Sequence, residues 1–253
     1  MAKSILIANW KNYPASLPEV RTILNGLVRS KAIYKKVSLF IAPPAPYLSL
    51  VGERVRGWGE LGVQNISSEE RGTHSGEVTP EILKSLGVRL AILGHSEQRA
   101  LGESAESVAK KVRLALKSGF TPVICFGEKE RDKDGEHFEV MRHELKTLLS
   151  EVKKAEASKI VLAYERIWAI GNKASGPIEP TELSQTVIYI KKILSDLFGR
   201  KIADQIPVIY GGSVDDTNAG LLVRNSGIRG FLVGRASLDY KKFEGIANSV
   251  LGK

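Results

Sequence analysis

The chain holds a single cysteine, Cys125, among 253 residues. No intrachain disulfide can form, and a lone thiol fits a reducing compartment, so the expected location is cytoplasmic. Its longest apolar runs are about five to seven residues, too short to cross a membrane. Met1-Ala2-Lys3-Ser4 leads into Ile5-Leu6-Ile7-Ala8, which Asn9 ends too early for a signal peptide. No cluster has metal-ligand spacing and no dinucleotide fingerprint follows the first apolar run, so the expectation is chemistry without metal or cofactor. No linker, low-complexity tract or repeated block interrupts residues 1–253, and one domain is expected. The formal charge of +9 would suit an anionic partner. Its basic residues, however, come largely as pairs such as Lys110-Lys111 and Lys191-Lys192 inside helical segments. No aromatic-interleaved basic patch accompanies them, so nucleic acid is not expected as a partner.

With 43% hydrophobic and 26% charged residues, the composition is that of an ordinary globular chain with a large core. Short apolar runs recur at Ser4–Asn9, Val37–Ala42, Glu60–Gln64, Leu90–Gly94, Thr121–Cys125, Ile160–Ala163, Pro207–Tyr210 and Gly230–Val233. Amphipathic stretches lie between them: Leu17–Ser30, Ala45–Val55, Pro80–Leu86, Ser104–Ser118, Glu136–Ala155, Pro180–Phe198, Asp216–Val223 and Tyr240–Leu251. The alternation repeats at about thirty residues, the size of a βα unit. Near-continuous apolar strands joined by helices imply a parallel sheet covered on its faces. Eight such units favour a closed α/β barrel of the (β/α)₈ kind, eight parallel strands inside eight outer helices.

In such a barrel the chemistry belongs at the carboxyl ends of the strands. Asn9-Trp10-Lys11 follows the first strand, Gly94-His95-Ser96-Glu97 the fourth and Glu165 the sixth. Tyr210-Gly211-Gly212-Ser213 follows the seventh and Gly234-Arg235 the eighth. Each has a bland alternative: Asn9 as strand terminator, Lys11 as one basic residue of many, His95 as helix cap, the glycines as turns. Their joint placement on one face is what favours a site. Glu165 is a carboxylate where a buried strand opens into a loop carrying Trp168, Ile170 and Gly171. Large apolar groups in a glycine-punctuated loop suggest a lid over a base, an arrangement suited to proton transfer at carbon. Gly211, Gly212 and Gly234 lack Cβ, so backbone N–H groups there can approach an anion, aided by the helices after strands seven and eight. With Lys11 opposite, the expected substrate is a small phosphorylated molecule.

These motifs together resemble the triosephosphate isomerase family from end to end. Asn9-Trp10-Lys11-Asn12, Gly94-His95-Ser96-Glu97, Ala163-Tyr164-Glu165, Trp168-Ala169-Ile170-Gly171, Tyr210-Gly211-Gly212-Ser213-Val214 and Val233-Gly234 with Ala236-Ser237-Leu238 carry the likeness. The resemblance implies interconversion of dihydroxyacetone phosphate and glyceraldehyde 3-phosphate through an enediolate, a step of glycolysis and gluconeogenesis. It implies Glu165 as base, and His95 as neutral electrophile and proton shuttle at a helix start. Lys11 would stabilise the enediolate, with Asn9 placing it. The phosphate would rest on backbone N–H groups of Gly171, Ser213, Gly234 and Arg235, beside Gly212. Arg166, Ile167, Trp168, Ala169, Ile170 and Gly171 would form the lid. It also implies a homodimer through the long loop 65–79, with Gly72-Thr73-His74-Ser75-Gly76-Glu77 at its tip; the alternative is a plain surface loop.

Some positions depart from the family's pattern. Arg166 stands where a proline is usual, which leaves the backbone freer, and it invites a pair with Glu128 or Glu165. Residues 172–180 read as a longer second hinge. Gly234-Arg235 replaces a glycine pair, and Gln98 replaces an arginine. Other phosphate-binding barrels, such as phosphoribosyl isomerases, would lack the combination of Asn9, Lys11, His95 and Glu165. A catalytically impaired homologue that binds phosphorylated ligands is the reading of another class.

Overall fold

A computed structural model of the chain describes residues 3–132, 134–169 and 176–252, the Ala169 side chain excepted. Eight parallel strands close on themselves in chain order: β1 (Ile5–Asn9), β2 (Ser38–Ala42), β3 (Glu60–Val63), β4 (Val88–Leu93), β5 (Thr121–Phe126), β6 (Val161–Tyr164), β7 (Val208–Tyr210) and β8 (Gly230–Val233). Closure comes where β1 pairs with β8, Ile5 opposite Gly230 through Ala8 opposite Val233. Gly230 has φ of 143°, and a side chain there would run into the Ile5 backbone, so the seam requires glycine.

The strands separate two cores. Ile7, Ala42, Leu90, Ile92, Val123, Cys125, Val161, Ala163, Ile209 and Leu232 fill the barrel interior, and a larger cluster packs the outer strand faces against the helices. Buried on both sides, the strands show as unbroken apolar runs rather than as alternation.

The surrounding helices are α1 (Leu17–Arg29), α2 (Lys31–Tyr34), α3 (Leu48–Val55), α4 (Pro80–Ser85), α5 (Ser96–Ala100), α6 (Ala105–Ser118), α7 (Glu136–Leu148), α8 (Pro180–Phe198), α9 (Arg200–Ala203), α10 (Ala219–Asn225) and α11 (Tyr240–Val250). Their ends follow local chemistry. The Ser104 hydroxyl accepts the Ser107 N–H to start α6, and Gly119 in the left-handed region stops it. Asp239 accepts the Lys241 and Lys242 N–H groups to start α11.

Among the described residues eight main helices cover the barrel, as the periodicity predicts, and α2, α5 and α9 are short additions. Several ranges differ from the sequence pattern, among them α10, which spans Ala219–Asn225 rather than Asp216–Val223. The stretch Ala45–Val55 opens as a 3₁₀ turn at Ala45–Tyr47, because Pro44 and Pro46 restrict its backbone. Helix α7 stops at Leu148 rather than Ala155, since Leu148, Leu149 and Val152 are all buried and the chain must fold inward there. Strand β4 begins earlier than Leu90, at Val88, which pairs with Leu61.

Candidate active site

One cavity of about 350 Å³ opens at the carboxyl end of the barrel. Its walls hold Asn9, Lys11, His95, Glu165, Gly212, Ser213, Gly234 and Arg235, so residues spread over the whole chain converge as expected.

Glu165 continues β6. Its backbone N–H donates to the Phe126 carbonyl at 2.9 Å, which extends the pairing with β5 by one residue. The side chain is 1% exposed. Its Oε2 accepts the Ser96 N–H at 3.1 Å, and Oε1 lies 3.3 Å from His95 Nε2. A Cβ at Gly211 would stand 3.0 Å from Glu165 Cγ and 3.3 Å from Oε1, so glycine leaves the base its room. Burial, and next the Glu165 charge, push the neighbouring Cys125 thiol well up from its ordinary range. That cysteine is a small apolar filler of the barrel interior.

His95 caps the short helix α5. Its Nδ1 accepts the Glu97 backbone N–H at 3.2 Å, which fixes the ring proton on Nε2, facing Glu165.

Lys11 has φ of 51°, the left-handed region that non-glycine residues rarely adopt. Two neighbours hold it there. Asn9 Oδ1 accepts the Lys11 N–H at 3.0 Å. Gln64 Nε2 donates to the Lys11 carbonyl at 2.8 Å and to the Ala42 carbonyl at 2.9 Å. The Lys11 ammonium meets Glu97 Oε1 at 2.6 Å.

The opposite wall is main chain. The N–H groups of Gly212, Ser213 and Gly234 have no backbone acceptor among the described residues. Gly234 precedes a 3₁₀ turn at Arg235–Leu238, and Arg235 and Ala236 of that turn line the cavity. The expectation that the two outer helices aim at this place needs correction. Helix α10 starts only at Ala219 and α11 at Tyr240, and neither lines the cavity, whereas the 3₁₀ turn at Arg235–Leu238 does.

Ile167, Trp168 and Ala169 form a 3₁₀ turn just after the base. Ile170, Gly171 and residues 172–175 of the expected lid and second hinge lie outside the described residues. Arg166 pairs with neither expected carboxylate. Its Nε faces Glu182 Oε1 at 3.9 Å, because the N-terminal turn of α8 packs against the β6 rim. Glu128 is taken instead by Tyr164, whose hydroxyl donates to it at 2.8 Å, and by Trp168 at 3.2 Å.

The sequence pattern did not single out Gln64. It lies just past β3, and the strand-end rule that found Asn9, His95 and Glu165 would have found it too. Glu97 stood only within a motif, and its pairing with Lys11 bridges 86 positions of sequence.

The profile of one family, described as triosephosphate isomerase, matches residues 4–250. A triosephosphate isomerase of Natranaerobius thermophilus is 38% identical over 240 residues, 94% of this chain and 92% of that protein. One from Clostridium botulinum is 35% identical over 253 residues, 98% and 100% of the two chains. One from Rhodopirellula baltica is 38% identical over 251 residues, covering 97% of each. The chain belongs to the triosephosphate isomerase family. It is an intramolecular aldose–ketose isomerase of glycolysis, and its substrate is a phosphorylated triose. Asn9, Lys11, His95 and Glu165 meet in one cavity of this chain.

Proposed function

We propose that Glu165 is the base that moves a proton between adjacent carbons of the triose phosphate. The observation that carries this is a carboxylate 1% exposed, with the His95 ring nitrogen Nε2 3.3 Å away. A proton bonded to carbon is weakly acidic, so the base needs an electrophile that makes the adjacent carbonyl accept the charge. In this reading His95 supplies it, donating Nε2–H to the carbonyl oxygen and then shuttling protons between the two oxygens of the enediolate. Lys11 adds a full positive charge beside the same oxygens, and Asn9 holds Lys11 in place. Glu165 returns the proton to the neighbouring carbon. Every step conserves atoms and electrons, so neither redox chemistry nor a cofactor is needed.

The phosphate would rest against Gly212, Ser213, Gly234 and Arg235, whose exposed main chain suits an anion and whose neighbour Lys11 adds charge. Arg166, Ile167, Trp168 and Ala169 would belong to the cover over the base. The closure of β8 onto β1 supports one barrel domain over 1–253. We read the location as cytoplasmic, from the single buried thiol; no described helix is long and apolar enough to cross a membrane. We also read the chain as a homodimer through loop 65–79. Exposed apolar residues on units one, three and four of the barrel support it: Tyr13, Ile82 and Leu101.

The test is Glu165→Gln, assayed for dihydroxyacetone phosphate formed from glyceraldehyde 3-phosphate. Turnover should fall by roughly three orders of magnitude or more while the fold persists. Near-normal turnover in the folded variant removes Glu165 as base. An unmodified protein that binds the triose phosphate without turning it over would instead be the impaired homologue.

A further inference from the structure

Arg166 is 4% exposed, a rare setting for a guanidinium. It belongs to a closed ring of five side chains. The Arg166 guanidinium carbon lies 4.2 Å over the Trp168 ring. The Trp168 indole N–H donates to Glu128 Oε1 at 3.2 Å. That oxygen is 3.8 Å from Arg131 Nε. Arg131 pairs in turn with Glu182 on the first turn of α8, and Glu182 returns to Arg166 at 3.9 Å. The ring therefore ties together the loop after β5, the segment after β6 and the start of α8. Two carboxylates and two guanidiniums balance within it, which is the condition under which such charges are tolerated away from water. A cation stacked on an indole is worth more when water is excluded, so the Arg166–Trp168 contact strengthens with burial. The Tyr210 phenol, pushed up to about 12 by burial, stands beside the same guanidinium, which opposes that rise. Arg166 also lines the cavity and is the residue immediately after the base.

We propose that Arg166 is a positioning residue: by closing this ring over Trp168, it fixes where the chain leaves Glu165 and so aims the carboxylate. It does not touch the reacting atoms and acts through Trp168 and Glu182. The role rests on Glu165 being the base. Proline at this position would restrain the same backbone through its fixed φ; here an ionic and stacking network outside the main chain supplies the restraint. A wall residue that only filled space would tolerate loss of its charge. A ring member would not, because removing one link frees the others.

The experiment compares the unmodified protein with Arg166→Gln, Arg166→Lys, Glu182→Gln and the double variant Arg166→Gln/Glu182→Gln. Turnover and KM are measured for each, with melting curves to establish folding. Trp168 fluorescence is taken in each background as the difference from a Trp168→Phe counterpart. Arg166→Gln should lower kcat about tenfold with KM changed less than about threefold, since a small misplacement of a reacting group is costly. It should also alter Trp168 emission. Glu182→Gln should do the same in weaker form, Arg166→Lys should recover most of the loss, and the double variant should be no worse than Arg166→Gln alone, because both open one ring. Unchanged Trp168 emission in Arg166→Gln overturns the ring. Changed emission with unchanged kcat overturns the positioning role, as do losses that multiply in the double variant. The emission readout needs no turnover, so it judges the ring even if Glu165→Gln shows that the base lies elsewhere.

Discussion

Lys11 shows how much of this site is held by residues that do no chemistry. A non-glycine residue in the left-handed region costs on the order of 1–3 kcal/mol, and persists only when its surroundings determine it. Asn9 satisfies its N–H and Gln64 its carbonyl, so two side chains bind both ends of the strained residue. The strain turns the Lys11 ammonium into the cavity, where it meets Glu97 at 2.6 Å until an anionic ligand competes. Lys11→Met should therefore weaken a phosphorylated hydroxamate analogue of the enediolate by at least about tenfold, measured by competitive inhibition or calorimetry. Unchanged analogue affinity would assign Lys11 to structure. Gln64→Leu should act on Lys11 indirectly. The Lys11 carbonyl loses its donor, while the Ala42 carbonyl keeps the Trp10 N–H at 3.1 Å. Leaving one acceptor unpaired costs about 1–3 kcal/mol, so the melting temperature and kcat should fall together. A Gln64→Leu protein with normal stability would show that water replaces the amide.

At the scale of elements, the long connection between β3 and α4 is anchored by a buried ion pair outside the cavity. Lys111 on α6 meets Glu103 at 2.5 Å, with side chains 9% and 7% exposed. The same ammonium donates to Asn65 Oδ1 at 3.0 Å, at the foot of loop 65–79, and Asn65 Nδ2 donates to Gln98. The residue that replaces the family's usual arginine after His95-Ser96-Glu97 is thus part of the loop's anchor. Lys111→Met leaves a buried carboxylate without its partner and should cost about 3–5 kcal/mol in chemical unfolding; adding Glu103→Gln should restore part of it. No recovery in the double variant would mean that Lys111 acts mainly through Asn65. These contacts also mark the limit of what the sequence shows. Apolar runs revealed every strand, because burial on both faces leaves an unbroken pattern within a few neighbouring residues. The strand-end rule revealed Asn9, Lys11, His95 and Glu165 for the same local reason. The Arg166–Glu182 contact and the Lys11–Glu97 pair join residues far apart in the chain, and no local pattern specifies which charge meets which. Arg166 illustrates this well: its backbone freedom could be read from its type, but the ring that takes up that freedom could not.

At the scale of the whole molecule, large apolar residues are exposed on both sides of the barrel. Val140, Ile188, Leu197 and Leu221 are exposed on α7, α8 and α10, away from the β3–β4 side of the barrel. Tyr13 is 56% exposed, Leu17 51%, Ile82 52%, Leu86 38% and Leu101 82%, and these belong to the first, third and fourth βα units. Large apolar side chains on the units beside a long loop favour burial by a partner. The loop itself is structured within one chain: Ser67 N–H donates to the Val78 carbonyl across its base, and Arg71 holds Glu81 through two hydrogen bonds of 2.5 Å each. A loop already ordered loses less entropy on association, so it suits docking into a second copy. Sedimentation at micromolar concentration should accordingly show a dimer. Leu101→Glu would place a charge on the most exposed of these apolar residues, and should weaken the dimer by at least about a hundredfold, the cost of burying an unpaired carboxylate. Because Gln98 and Glu97 share α5 with the chain leading to Leu101, dissociation should also disturb Lys11 through its Glu97 partner and lower kcat. If Leu101→Glu leaves the sedimentation unchanged, Leu101 lies outside the contact. If the unmodified chain sediments as a monomer at all concentrations, loop 65–79 is a surface loop and the site is complete within one chain.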